Sequence, residues 1–277
     1  MAIKIVADSS CDLTDEMKRQ MNVKIAPLVL QLGDTSYVDD ENLDVKQYLE
    51  AMAKCETSPK TACPSPNDYM NSFEGPESVF VVTLSNFLSG SYNSAVLAKD
   101  MFIDELDNKF IHVFDSLSAS SGEVVVALKI NELAKLKLTE AEIVEKVNNF
   151  IKEMKTFFLV ESLEHLAKAG RLNPIVAKVA SMLSIKPIMC GDKGNIKLFE
   201  KVRGYKKAFN RLVEVIGEEG KNLEEKILCI AHCNCLDRAL DFKEAVLKKY
   251  SFKDIIIVET KGLSSTYADD GGIVIAY

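Results

Sequence analysis

The residues with the most chemistry to offer run Thr83-Leu84-Ser85-Asn86-Phe87-Leu88-Ser89-Gly90-Ser91-Tyr92-Asn93-Ser94-Ala95. Aliphatic hydroxyls recur through this stretch, and Gly90 sits among them. A helix that starts at Ser89-Gly90-Ser91 leaves backbone N–H groups without partners and carries partial positive charge there. Hydroxyls beside such N–H groups, with a glycine that lets the backbone come close, suit an anion such as a carboxylate. The plainer reading makes Ser89 or Ser91 an N-cap and nothing more.

Such a site needs a strand before it and a helix after it. Ser78–Val82 is short, apolar and rich in β-branched residues, which predicts a buried strand. Ala95–Phe102 reads as a helix. The pattern occurs twice more. Ile3–Ala7 predicts a strand that ends in Asp8-Ser9-Ser10-Cys11-Asp12. Lys109–Phe114 predicts another, ending in Asp115-Ser116-Leu117-Ser118-Ala119-Ser120-Ser121-Gly122 before a helix over Glu123–Leu136. Ligands of open α/β sheets bind outside the carboxyl ends of the strands. Three hydroxyl-rich strand ends therefore point to a polar pocket of neutral donors. The competing account is that Asp-Ser and Ser-Gly are common turn residues.

The remaining elements follow in order. Thr14-Asp15-Glu16 opens a short helix with an acidic first turn. Val23–Leu32 reads as a second strand, and Val45–Ala53 as a helix. Thr57–Pro66 reads as a loop stiffened by three prolines. It closes on a helix start, with Ser65 as N-cap and Pro66 in the first helical position. An amphipathic helix over Ile143–Lys155 leads to a domain boundary expected near Thr156, which divides the chain into 1–155 and 156–277. Thr156–Val160 predicts a strand, and a short helix stops at Gly170. Pro174–Leu183 predicts a very apolar helix, and Ile185–Cys190 with Ile196–Val202 a hairpin. Helices at Lys206–Ile216 and Asp237–Lys249 alternate with strands at Lys226–Ala231 and Asp254–Glu259. Gly271–Tyr277 closes the chain as a last strand.

Composition narrows the function classes. The chain has 277 residues, 47% hydrophobic and 27% charged, with a net charge of −7. That charge offers no basic field for nucleic acid or anionic lipid. No apolar run approaches the ~18 residues of a membrane span, and the N-terminus reads as a strand rather than a signal peptide. A soluble cytoplasmic protein is expected. The seven cysteines fall in no disulfide framework. His232-Cys233-Asn234-Cys235 lacks the second ligand pair of a zinc site, so buried thiols are expected and no metal.

A catalyst is hard to find. Ser89 as a nucleophile needs a base, and the three histidines, His112, His165 and His232, lie in a strand, in the other half and at a distant strand end. The Gly-X-Ser-X-Gly elbow is absent around Ser89, and no phosphate-loop or dinucleotide fingerprint occurs. Asp39-Asp40 and Asp269-Asp270 could serve a Mg²⁺ ion, but adjacent acids usually sit in solvated turns.

In the order in which they occur, these motifs resemble the DegV family of bacterial fatty-acid-binding proteins. Asp8-Ser9-Ser10-Cys11-Asp12-Leu13 resembles the family's Asp-Ser-X-X-Asp-Leu opening. Lys60-Thr61-Ala62-Cys63-Pro64-Ser65-Pro66 resembles its Thr-Ser-Gln-Pro-Ser-Pro loop. Leu88-Ser89-Gly90-Ser91-Tyr92-Asn93-Ser94-Ala95 resembles its Leu-Ser-Gly-Thr-Tyr-Gln-Ser-Ala signature. Asp115-Ser116, Gly122, Glu161–Leu166, Gly170-Arg171-Leu172, Lys186-Pro187 and Arg203 follow in the family's order.

The resemblance implies two α/β domains, the first with a mainly parallel, Rossmann-like sheet and the second with a mixed sheet and helices. It implies a carrier, not an enzyme, that buries one long-chain fatty acid between its domains and needs no cofactor. Thr61, Ser89 and Gly90 would meet the carboxylate, with Arg203 and Tyr267 at the same end. Arg171 would face a separate fatty acid kinase. Pro174–Met189 is the expected wall of the acyl tunnel, where each buried CH₂ contributes about 0.8 kcal/mol. Tyr267 stands where the family has a head-group histidine, and Asp269-Asp270 replace Gly-Pro. Tyrosine can still hydrogen-bond a carboxylate but brings no positive charge. Two other readings stand beside the carrier: a serine-dependent acyl hydrolase using Ser89, and a sensor that keeps the lipid as a structural ligand.

Overall fold

The computed structural model describes residues 2–105, 109–173, 176 and 184–277. In chain order, these residues form β1 (Ile3–Asp8), α1 (Asp15–Gln20), β2 (Val23–Ala26), β3 (Val29–Leu32), β4 (Thr35–Val38), α2 (Val45–Lys54), β5 (Lys60–Ala62), α3 (Pro66–Phe73), β6 (Ser78–Thr83), α4 (Ser91–Glu105) and β7 (Ile111–Asp115). They continue with α5 (Ser121–Ala134), α6 (Glu140–Glu153), β8 (Thr156–Leu159), α7 (Glu164–Lys168), β9 (Ile185–Asp192), β10 (Asn195–Arg203), α8 (Tyr205–Glu219), β11 (Ile227–His232), α9 (Leu236–Leu247), β12 (Asp254–Glu259), α10 (Gly262–Ala268) and β13 (Ile273–Ala276).

The architecture is mixed α/β. One sheet, in the order β2-β1-β6-β7, is parallel throughout. Parallel strands are covered by helices on both faces, which explains why β1 and β6 read as near-continuous apolar runs. Ile5, Ala7, Phe80 and Val82 pack with α5 and α6 on one face. Val6, Val79 and Val81 pack with α3 and α4 on the other. A six-stranded mixed sheet, β10-β9-β8-β13-β11-β12, draws on residues after 155. Its core is shared with α8 and α9. Helix α5 belongs to both halves: Val124–Ala127 share one core with Phe80 and Phe114 of the parallel sheet and with Cys229, Ala231 and Ala276 of the mixed one.

The third sheet, β4-β3-β5, corrects two sequence expectations. Val23–Leu32 is not one strand. Pro27 has no N–H to continue a ladder, and the chain leaves β2 there to enter β3 in a different sheet. The Leu28 N–H turns instead to the Ser9 hydroxyl at 3.0 Å. The proline-rich loop also contains a strand, β5, in which Thr61 stands opposite Leu30. The helix start at its end is as expected: the Ser65 hydroxyl and the Asp68 carboxylate cap each other's backbone N–H groups around Pro66. The hairpin β9–β10 turns on Lys193 and Gly194, both at positive φ, as a two-residue primed turn requires. The expected helix Pro174–Leu183, and with it most of the expected tunnel wall, lies outside the described residues.

Candidate functional site

The carboxyl ends of β1, β6 and β7 face the mixed sheet across a cavity of about 370 Å³. The far wall is one face of that sheet: Thr156, Phe158 and Val160 alternate along β8 and its end, joined by Val274 and Ile196. Leu28, Leu84, Leu88, Leu117, Leu166 and Leu263 complete an apolar interior. Its polar groups come mainly from the hydroxyl-rich turns and from β5 and α10, with Thr156 of β8, Arg171 and Asn195 beside them.

The structure brings Thr61, Ser89, Gly90, Arg171 and Tyr267 to this one cavity. Thr61 and Tyr267 are 206 residues apart in sequence, yet their hydroxyl oxygens lie 3.0 Å apart. The Ser89 hydroxyl accepts from the Ser91 N–H, the first of α4, at 3.2 Å, while Ser89 also lines the cavity. Gly90 packs closely: a Cβ there would stand 3.2 Å from the Cys63 sulfur. Arg171 reaches across from the other half, and its Nε donates to the Leu88 carbonyl at 3.1 Å, bracing the loop that carries Ser89. Arg203 is not brought in. It ends the edge strand β10, exposed and opposite Ile185, and does not line the cavity among the described residues.

About half of the hydroxyls at the three strand ends turn inward for structural use. Ser85 donates to the Gly194 carbonyl at 2.7 Å, which ties the β6 loop to the hairpin turn. Ser91 donates to Asp8, and the Tyr69 hydroxyl lies 2.6 Å from Ser91. Ser10, Ser89, Ser118 and Ser120 reach the cavity. The loop that presents Ser118 and Ser120 is strained, with Leu117 at φ +52° and Ser120 at φ +55°. Non-glycine residues in such regions cost on the order of 1–3 kcal/mol each and persist where surrounding contacts hold them.

Asp115 accepts from the Leu117 N–H and Asp12 from the Ser120 hydroxyl, and Asp12 is one of several buried carboxyl groups that tie distant loops together. Asp8 accepts from the Leu84 N–H at 2.9 Å and the Ser10 N–H at 3.1 Å, joining two strand ends. Asp12 accepts from the Ser120 hydroxyl and the Lys261 N–H, both at 2.6 Å. Asp39 accepts from the Gly262 and Leu263 N–H groups at 2.8 Å each, and so fixes the start of α10, the helix that carries Tyr267. Burial pushes all three up, Asp12 to about 7. Glu123 is also fully buried; desolvation and the neighbouring Asp8 charge hold its carboxyl well above the usual range. For Asp8 and Asp12 the signal available in the sequence was a hydroxyl-rich turn; Asp39, followed by Asp40-Glu41-Asn42, offered none of that kind.

A profile of the DegV family, described as an uncharacterised protein family, matches residues 2–277. The chain belongs to the DegV family. A DegV domain-containing protein of Streptococcus gordonii is 35% identical over 280 residues, covering 100% of this chain and 99% of the relative. Among solved structures, a DegV family protein from Ruminococcus gnavus, refined with vaccenic acid, superposes with a TM-score of 0.95 at 40% identity, covering 100% of both chains. The fatty acid kinase (Fak) B3 protein of Streptococcus pneumoniae, loaded with linoleic acid, superposes at 0.91 with 32% identity, covering 100% of this chain and 99% of that one.

In this DegV chain none of the three histidines is among the described residues that line the cavity with Ser89. His165 Nε2 lies 3.3 Å from an Asp269 carboxylate oxygen. Burial pushes Asp269 up to about 7 and His165 down, which disfavours charge on both partners at once. His232 Nδ1 accepts from the Cys235 N–H at 3.3 Å, and burial lowers its pKa as well. His112 stands in β7 against Phe114. The adjacent acids are not paired for a cation: Asp39 caps α10 and Asp269 meets His165, and the described residues hold no cluster of three or more metal-ligating side chains. No helix among them is long and apolar enough to cross a membrane.

Proposed function

We propose that this chain binds one long-chain fatty acid in the cavity and presents its carboxylate to a fatty acid kinase, as a carrier and not as a catalyst. One observation carries the reading. An apolar cavity ends in the Thr61–Tyr267 hydroxyl pair and in the Ser89–Gly90 start of α4, with no buried cation beside them among the described residues. A carboxylate can take hydrogen bonds from a hydroxyl and from helix-start N–H groups, while its tail is driven out of water into the apolar interior. Relatives that resemble the chain along its whole length hold fatty acids, one of them a fatty acid kinase B protein.

In this reading Thr61, Ser89, Gly90 and Tyr267 hold the head group. Arg171, exposed and anchored on the Ser89 loop, faces the kinase. The halves 1–155 and 156–277 wall the ligand from either side. The test is native mass spectrometry of the purified protein, followed by identification of what denaturation releases. One fatty acid per chain, lost in the Thr61→Ala/Ser89→Ala variant, is the expected result. An empty protein, or a nucleotide in the cavity, overturns the reading. Covalent labelling of Ser89 by a fluorophosphonate would favour the hydrolase instead.

A further inference from the structure

The end of the cavity away from Tyr267 is not apolar. Tyr267 lies at the Val160 end of β8: β13 starts at Ile273 opposite Leu159, and His165, just past that strand end, touches Asp269. Thr156 lines the same face of β8 four residues earlier, roughly 13 Å away at the usual strand rise. There its Oγ1 lies 2.8 Å from the Ser118 hydroxyl, and both residues are at least nine-tenths buried. Gly191 across the ladder has no side chain to fill the space: a Cβ on it would stand 3.6 Å from the Thr156 Cβ. Gly122 serves the pair in the same way, since a Cβ there would fall 2.0 Å from the Ser118 oxygen.

The hydrogen-bond inventory of this pair is incomplete. Two hydroxyls carry two protons, and their mutual bond uses one. Among the described residues the only other acceptor in reach is the Ala119 carbonyl, 3.5 Å from Ser118 and too long to count for much. If Ser118 donates to Thr156, the Thr156 proton is free. If Thr156 donates, its oxygen keeps two lone pairs free. The neighbouring hydroxyls are committed, Ser120 to Asp12 and Ser116 to the Ser118 carbonyl. A ligand group that both donates and accepts meets either arrangement, and a hydroxyl does so.

Resting on the fatty-acid reading above, we infer that the Ser118–Thr156 pair is a second polar subsite, and that the preferred ligand is a long-chain fatty acid with a hydroxyl group partway along its chain. Thr61, Tyr267 and Ser89 hold one pole of that ligand and Ser118–Thr156 the other. An unsubstituted chain leaves the pair as it stands. A hydroxyl buried anywhere else along the apolar wall goes unpaired and is rejected.

The experiment measures dissociation constants of the delipidated full chain for octadecanoic acid and for isomers with the hydroxyl moved along the chain. One isomer is expected to bind severalfold more tightly than the parent acid, and isomers several carbons away on either side about tenfold more weakly than that best isomer. In Ser118→Ala/Thr156→Val that best isomer should lose about tenfold while the parent acid is held as before, which also reports that the variant is folded. A flat series, or a variant that weakens parent and isomer alike, overturns the inference and leaves the fatty-acid reading standing. Binding of neither acid by the wild type overturns both. The positional series needs only the wild type, so it decides the matter even if the variant does not fold.

Discussion

Removing the two hydroxyls at the carboxylate end, singly and together, tests how the site works. Thr61 Oγ1 and Tyr267 Oη lie 3.0 Å apart, and either can donate to the other. One proton of the pair is spent in that bond and one remains. A bound carboxylate takes the remaining proton, whichever residue offers it. Thr61→Val leaves the tyrosine proton, and Tyr267→Phe leaves the threonine proton. Each single variant therefore keeps a donor, and we expect its Kd to rise within about threefold, or about 0.6 kcal/mol. The double variant keeps none. A hydrogen bond to a charged group contributes about 1.5–3 kcal/mol, so its Kd should rise about 12- to 150-fold, above the roughly ninefold product of the singles. Calorimetric titration of delipidated protein at pH 8, where the ligand is ionised, reads all four corners of the cycle. A single variant that already shows the full loss refutes the shared-proton argument. A double variant within threefold of wild type removes the carboxylate from this end altogether.

Three further outcomes are expected. Asp39→Asn turns one carboxylate oxygen facing α10 into an NH₂ group and strands a backbone N–H there; urea unfolding should show a loss of about 1–3 kcal/mol, and unchanged stability would mean that Asp39 does not hold the helix. Asp12 has a folded-state pKa near 7, above its unfolded value, so the folded state binds more protons between about pH 4 and 7. Stability then falls as pH rises through that window, by an amount on the order of 4 kcal/mol for this one group, and levels off above it. Asp8, Asp39 and Glu123 tilt the curve the same way. Denaturant midpoints at pH 4.5 and 7.5 should therefore differ less in Asp12→Asn than in wild type; an equal difference would assign the slope elsewhere. Gly122→Ala forces Ser118 away from Thr156 and should lower stability by about 1–3 kcal/mol. Ser118→Gly in that background should recover most of it, and additive losses in the double variant would show that the methyl clashes with something else.

Much of this molecule is local and could be read from the chain. Apolar, β-branched runs bounded by turn residues became β1, β6, β7 and β8, because a strand buried on both faces admits little else. The Ser65-Pro66-Asp68 start became a capping box, because capping chemistry needs only neighbours in sequence. The whole-chain order of motifs pointed to the DegV family. Other features were not local. Pro27 marked a break, but only packing sent β3 and β5 into a sheet of their own. Gly262–Ala268 has few strong helix formers, and it is helical with its first N–H groups held by Asp39, some 220 residues earlier. Asp8, Asp12 and Asp39 look like solvated turn residues in sequence; burial and backbone N–H donors from distant loops made them anchors. Which hydroxyls reach the cavity was likewise decided late: Ser85 and Ser91 turn inward, while Ser89 and Ser118 face it. The reason is the same in each case. Propensity and periodicity act between neighbours along the chain, whereas a cavity is the space left between elements, and its polarity depends on which side chains have already found partners elsewhere.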